Sequence, residues 1–558
     1  MLPTEVIERI LMLCGDPRNV AAFARTSRLA HRLVYEADDQ YLWRELYFGR
    51  PFDDLRRAAP VPKERRALLP PDAEPACLRL LWPYLRAPHI PWKTELQRRT
   101  QAELIAASGT TDAAVLQLVY EAFVAAIETA SPATAPTENL PSTAPRQGQH
   151  PPGLAAGDRL PRSENLRWLD RIVRKTRILD VAPIWTVLEP EPETPPPEDP
   201  LPRSCHPLLD EDEDADDPGS FPEHEEDDAR GKRPVRMRER VVDGTDLRFV
   251  PEREQRAFQL RCRLRAALAL SHESSFDADA RARMAALRRV SRAFVYDMRR
   301  YQPRTLWGPY RVWDADGRTV LADWEHVEHI VNVVGLKLRE IQLASLGFYK
   351  RPLFSVEALR AYSAVSAHSC PEGDWAGVTG KWRRFVCFMD YRQLAHQYSL
   401  LPPGPHDPSF FDEPFDEALR PVELNLALIS KDEYFSKTRE VPVDPSRAGP
   451  EHPTGPIADA EDPAFPTLYF AGQSHGVASV RGKVSTLADG AIRWQFVTSY
   501  DGRMQWSAEG IQLGNVCSAA GVAGIWTGAF HDREDPAGPF WMSKVGDDLP
   551  TGILNSLH

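Results

Sequence analysis

From about Ser363 the chain changes texture, and that change limits its fold more than any other feature. Apolar and polar residues alternate in short runs broken by glycines: KWRRFVCFMDY, TLYFAGQ, ASVRGKVSTL, AIRWQFVTSY, RMQWSA, EGIQLG, GVAGIWTGAF and GPFWMSKV. A period of two is that of a strand with one buried face. The ADG before Ala491 and the YDG before Arg503 are hairpin turn signals. Some eight runs in succession, with Trp382, Trp494, Trp506, Trp526 and Trp541 recurring in them, predict a closed or nearly closed antiparallel barrel over 363–547. A proline-rich insertion at about 432–466 interrupts it.

The first 48 residues have the other periodicity. Val6, Ile7, Ile10, Leu11 and Leu13 recur at helical spacing between Glu5, Glu8 and Arg9, after a Leu2-Pro3 start suited to a first turn. Short helices around 18–25, at SRLAHRLV and at DQYLWRELYF add Val20, Phe23, Leu29, Leu33, Trp43 and Leu46. So few residues cannot enclose a core of their own, and the apolar surface left over implies a docking partner.

The 51 prolines are about twice the usual share, and they cluster. The result is an α+β multidomain parse. Residues 1–48 form an N-terminal helical module, 49–130 a helical connector, 131–158 a low-complexity linker and 159–185 a helix with Ser163 as N-cap. Residues 186–245 read as a disordered acidic linker, 246–360 as a helical segment and 363–547 as the barrel-like domain. Between Glu189 and Asp228 stand 17 acidic residues against Arg203 alone. The net charge of −12 is therefore that of a near-neutral chain carrying one acidic tether. Arginines in the helices at 252–271 and 278–301 fall at helical spacing among acids, which predicts a solvated or packing face and no nucleic-acid partner.

No apolar run reaches the roughly 18 residues of a membrane span, and the charged N-terminus does not read as a signal peptide. The seven dispersed cysteines lack any C-x-x-C, which points to a reducing cytoplasmic or nuclear setting and to no metal site. Glu325-His326 and Glu328-His329 share a helix at a spacing unlike H-E-x-x-H. Gly472-Gln473-Ser474-His475-Gly476 is a literal G-x-S-x-G, but VASVRGKVSTL after it reads as strand, where a nucleophile elbow needs a helix. A serine esterase using Ser474, with His475 or His531 as base, and a ligand-binding barrel without further role stand as alternatives. A non-catalytic protein without cofactor is the expectation.

The N-terminal residues Leu2, Pro3, Glu5, Val6, Ile10, Leu11, Val20, Phe23, Ser27-Arg28, Leu33 and Leu42-Trp43 resemble the F-box. Where many F-boxes carry Val-Cys-x-x-Trp, this chain reads ARTSRLAHRL. The resemblance implies a three-helix module that docks on a Skp-type adaptor and so joins a cullin–RING ubiquitin ligase, with Leu2, Pro3, Val6, Ile7, Ile10, Leu11 and Trp43 as anchors. Gly380-x-Trp382, repeated as Gly524-x-Trp526, resembles the opening strand of lipocalin-like barrels, where the Trp closes one end. SRAFVYDMRRY, WEHVEH, DWAGVTGKWRRFVCFMDYR and HDREDPAGPFW resemble a large fungal family of F-box proteins with a long C-terminal region. That implies adaptor module, connector and recognition region. Loops on a rigid scaffold commonly carry binding residues, so Ser474, His475, Tyr500, His531, Asp532 and Asp535 are the candidate contacts for a protein substrate.

Overall fold

The computed structural model describes residues 2–37, 40–59, 90–133, 162–180, 184–190, 237–243, 252–271, 278–312, 319–340, 355–365, 367, 371–390, 411, 417–438, 465–474, 478–532 and 535–546. Helices α1 (Thr4–Cys14), α2 (Pro17–Ala24), α3 (Arg28–Tyr35) and α4 (Tyr41–Phe48) open the chain. Local chemistry sets their ends. Gly15 closes α1 in the left-handed region at φ 63°, Asp16 caps α2 through the Arg18 N–H, and Ser27 caps α3 through the Ala30 N–H. Their inner faces (Leu11, Val20, Ala24, Val34, Leu42, Trp43, Leu46) run without a break into the core of the next helices.

Those helices are α5 (Trp92–Ser108), α6 (Ala113–Glu128) and α7 (Glu164–Thr176), the last capped by Ser163 as its sequence indicates. α6 is apolar almost all round and is buried on most of its surface. A polar node ties the joints together: the Asp53 carboxylate accepts from the N–H groups of Ser131 at 2.9 Å and Glu164 at 2.8 Å and from the Ser163 hydroxyl. Beside it, buried Arg99 donates to Glu95, Asn165 and Thr129.

Strands β1 (Ile184–Pro190) and β2 (Met237–Asp243) pair antiparallel. Both ends of the acidic tract, read above as unstructured, are therefore a ribbon, while its 191–236 lie outside the described residues. Helices α8 (Glu252–Leu268) and α9 (Ala278–Val295), a short hairpin of β3 (Tyr310–Val312) and β4 (Val320–Ala322), and helix α10 (Trp324–Glu340) follow. The α8 arginines point to packing partners: Arg263 pairs with Glu128 at 2.6 Å and Arg265 with Glu328 at 2.7 Å.

The remainder is a closed eight-stranded antiparallel barrel: β5 (Gly380–Phe388), β6 (Ala418–Ile429), β7 (Leu468–Ser474), β8 (Ala478–Thr486), β9 (Ile492–Tyr500), β10 (Arg503–Gln512), β11 (Val522–Gly528) and β12 (Ala537–Lys544). Helix α11 (Lys431–Thr438) follows β6. Each strand pairs with its neighbours in sequence, and β12 closes on β5. Residues Asp501 (φ 48°) and Gly502 (φ 76°) form the β9–β10 turn, both at positive φ as a tight hairpin of this hand requires. Beyond a register shift between Met504 and Trp506, even-numbered residues pair with even-numbered ones all round the barrel. That parity is the inner face: Trp382, Leu424, Phe470, Val484, Trp494, Phe496, Phe540 and Met542 form one apolar cluster. Odd residues such as Phe385, Ile525 and Trp541 join the helical core instead.

Two sequence expectations about the barrel need correction, and they cancel in the count. RMQWSA and EGIQLG are one strand, β10, and β6 was not among the runs read as strands.

Candidate functional site

The outer face of α1 is the first candidate. Leu2, Val6, Ile10 and Leu13 are exposed by 58, 42, 46 and 74 %, and their spacing places them in one stripe. Pro3 is exposed at the helix start, and Ile7 is partly buried against the core. Leu11 and Trp43 face inward, each 4 % exposed. The Trp43 indole N–H donates to the Val34 carbonyl at 2.8 Å, which fixes α4 against α3. Of the seven residues expected to anchor a partner, four therefore offer surface (Leu2, Pro3, Val6, Ile10), Ile7 offers part of its own, and two hold the module together. Leu13, the most exposed of the stripe, was not among them.

The barrel has unlike ends. At one, the connections 487–491 and 513–521 are bonded to the helical body. The Ala322 N–H donates to Asp489, the Asn515 amide to the Ile127 carbonyl at 2.9 Å, and the Ala520 N–H to the Ala358 carbonyl at 3.1 Å. Trp382 and Trp494 lie against each other near this end with centroids 5.0 Å apart, and the Trp382 N–H donates to the Val378 carbonyl. Strands β5, β7, β9 and β11 all end, and β6, β8, β10 and β12 begin, at the opposite end, because the strands alternate in direction. That end, which also meets the helical body where Glu417 accepts from Arg292 and Tyr296, is called the mouth.

The sequence candidates gather there. Ser474 ends β7, faces inward and is 3 % exposed; it pairs with Ala478, which pairs in turn with Tyr500. His475 lies outside the described residues. Because β7 leads directly to β8, Ser474 sits on a strand-to-strand connection and lacks the helix start of a nucleophile elbow. The first glycine of the string serves the wall: a Cβ on Gly472 would stand 2.1 Å from the Asn425 carbonyl oxygen.

His531, Asp532 and Asp535 form the rim. The His531 ring stacks on Trp307 at 3.9 Å, and its Nδ1 lies 3.1 Å from the Thr527 hydroxyl. The Asp532 N–H donates to the Asp535 carboxylate at 2.9 Å, and the Asp535 N–H returns to the Asp532 carbonyl. Burial, with Asp532 nearby, raises the Asp535 carboxyl above its ordinary value. Asp532 itself is exposed at the mouth.

Farther in, β5 carries a residue that the sequence reading passed over, Arg384. Its signal was present in KWRRFVCF, where the strand period puts Arg384 on the same face as Trp382. Elsewhere, the Glu-His pattern on α10 is buried packing. His329 is hydrogen-bonded with the Ser291 hydroxyl at 2.9 Å, and burial pushes its ring down to about 4. Among the described residues no cluster of His, Cys, Asp and Glu could hold a metal, and no helix is long and apolar enough to cross a membrane. No family model, curated protein or solved structure matches the chain.

Proposed function

We propose that this protein is the substrate-recognition subunit of a Skp–cullin–F-box type ubiquitin ligase. In this reading α1–α4 are the F-box, docking a Skp-type adaptor, and the lipocalin-like barrel presents a protein substrate through its mouth. The observation that carries the reading is the exposed stripe Leu2, Val6, Ile10 and Leu13 on a helix whose other face sets Leu11 into the core with Ile7 and Met12 partly buried against it. Apolar side chains arrayed on one helix face are what a partner helix or groove buries. The F-box resemblance names the partner. The subunit is non-catalytic and works in cytoplasm or nucleus, where cullin–RING ligases act.

Co-purification of tagged full-length protein with adaptor and cullin tests the first half. Both partners are expected to be retained by wild type and lost when Leu2 and Pro3 are replaced together by alanine. Removing 365–558 is expected to keep the adaptor and lose substrate. Retention of adaptor and cullin by the double alanine variant at wild-type level would overturn the assignment.

A further inference from the structure

The chain holds 57 arginines and 11 lysines. Lysine is ordinarily among the commonest residues, and on a solvated surface it carries the same charge as arginine. Residues 1–62 and 233–336 contain no lysine at all. The structure sharpens the contrast. Among the described side chains sixteen arginines are exposed but only two lysines, Lys175 in the last turn of α7 and Lys431 at the start of α11. The other lysines are held. The Lys93 Nζ lies 4.7 Å from the Tyr35 ring centroid. The Lys544 Nζ donates to the Gly377 carbonyl at 3.3 Å, and the residue is 8 % exposed. Lys337, Lys381 and Lys483 are half-buried.

Pairing accounts for only part of the arginine. Where a planar fork meets a carboxylate, as Arg174 meets Asp170 at 2.8 Å, lysine would fit less well. Arg25, Arg28 and Arg304, by contrast, are exposed and enter no ion pair among the described residues. At such positions lysine would serve the fold equally. What separates the two is reactivity: a lysine amine that sheds its proton is a nucleophile, whereas the guanidinium keeps its proton.

We propose that this chain is kept poor in accessible amines so that a ubiquitin ligase built on it modifies the bound substrate and spares its own receptor subunit. The proposal rests on the ligase reading above. In the transfer step a lysine Nζ attacks the thioester carbonyl that joins the ubiquitin C-terminus to a cysteine of the conjugating enzyme. The isopeptide C–N bond forms, the C–S bond breaks, and the proton lost from nitrogen leaves with the cysteine as its thiol. A receptor shares one assembly with the charged enzyme at all times, so its own amines compete at high effective concentration, while those of a substrate compete only when it is bound. A surface of arginine removes that competition and keeps the charge.

Full-length protein assembled with adaptor, cullin and RING subunit, and supplied with ubiquitin-charged conjugating enzyme but no substrate, tests it. Discharge of ubiquitin to free lysine in solution shows that the ligase is active. Failure to assemble or to discharge overturns the ligase reading, and the proposal falls with it. Given discharge, wild type is expected to modify itself slowly. A variant combining Arg57→Lys, Arg162→Lys, Arg171→Lys, Arg281→Lys, Arg283→Lys and Arg304→Lys has eight exposed lysines among the described residues in place of two. It is expected to modify itself at least about twofold faster, at introduced lysines identified by peptide mass spectrometry, with unchanged discharge to free lysine. The same six positions changed to glutamine should leave self-modification at the wild-type rate. Unfolding temperature checks that the lysine variant folds; should it not, Arg171→Lys and Arg283→Lys singly, read by ubiquitin at the introduced residue, decide. Wild-type self-modification as fast as that of the lysine variant, or no ubiquitin on the introduced lysines, overturns the proposal with the ligase reading intact. An equal gain in the glutamine variant does so too, because it traces the effect to lost arginine.

Discussion

Replacing Val6 and Ile10 together by aspartate separates docking from folding. The four stripe residues, 58, 42, 46 and 74 % exposed, together present the surface of about two whole apolar side chains. Covering one fully exposed Leu, Ile or Val is worth about 1.5–3 kcal/mol, so the stripe offers a partner roughly 3–6 kcal/mol. Val6 and Ile10 hold somewhat under half of that surface. The two carboxylates would forfeit roughly 1–3 kcal/mol of burial and add the cost of desolvating charge at an interface. The expected result is at least about a hundredfold loss of affinity for a purified Skp-type adaptor, measured by calorimetry, with little change in the unfolding temperature. Leu11→Ala is the internal contrast. Leu11 is 4 % exposed, and its truncation should cost about 2–5 kcal/mol of stability. Wild-type affinity in the double aspartate variant would refute the docking face. So would a loss of stability as large as that of Leu11→Ala, because it would mean the stripe is covered within the chain.

Arg493→Met should destabilise the barrel by about 3–5 kcal/mol, because Glu509 would keep only the Tyr310 hydroxyl and the Gln495 amide. Burial already raises the Glu509 carboxyl above its ordinary value. The native state therefore takes up a proton before the unfolded state does, and the variant should regain stability as pH falls toward 4.5; urea midpoints at several pH values check this. His329 has the opposite sign. The unfolded ring protonates near 6.5 while the buried ring resists to about 4, so stability falls as pH drops through that window, by up to roughly 3 kcal/mol. His329→Gln should flatten the fall, leaving the part due to His326, which burial also pushes down. Trp43→Phe should lower stability by about 1–2 kcal/mol by leaving the buried Val34 carbonyl without its indole donor, readable as a drop in unfolding temperature.

Periodicity alone determined much of this molecule: the helical N-terminus, the Ser163 cap, the hairpin turns and the inward parity of Trp382 and Trp494 are local consequences of residue order. Where the reading failed, a local rule met a tertiary exception. Pro421 hid β6, since proline breaks a ladder. It is tolerated because β6 pairs with β7 only from Leu424 onward, so that Pro421 has a described strand partner, Phe385, on one side alone. Gly510 made β10 look like two strands, yet it is an inner-wall position that the Phe540 ring requires to be bare. Burial of Leu11 and Trp43, against exposure of Val6 and Ile10, depended on how α1, α2 and α4 fold back on one another, with Trp43 bonded to Val34 and stacked on Tyr35, and on the core they share with the helices that follow. The isolation of Arg384 was likewise a matter of three dimensions. An arginine beside Trp382 and Arg383 is unremarked in sequence, and only closure of the ring of strands brings Phe496 and Phe540 to it and leaves every carboxylate of the wall on the other face. Local order decides which face a side chain takes; what stands opposite that face is set by chain segments far away in sequence.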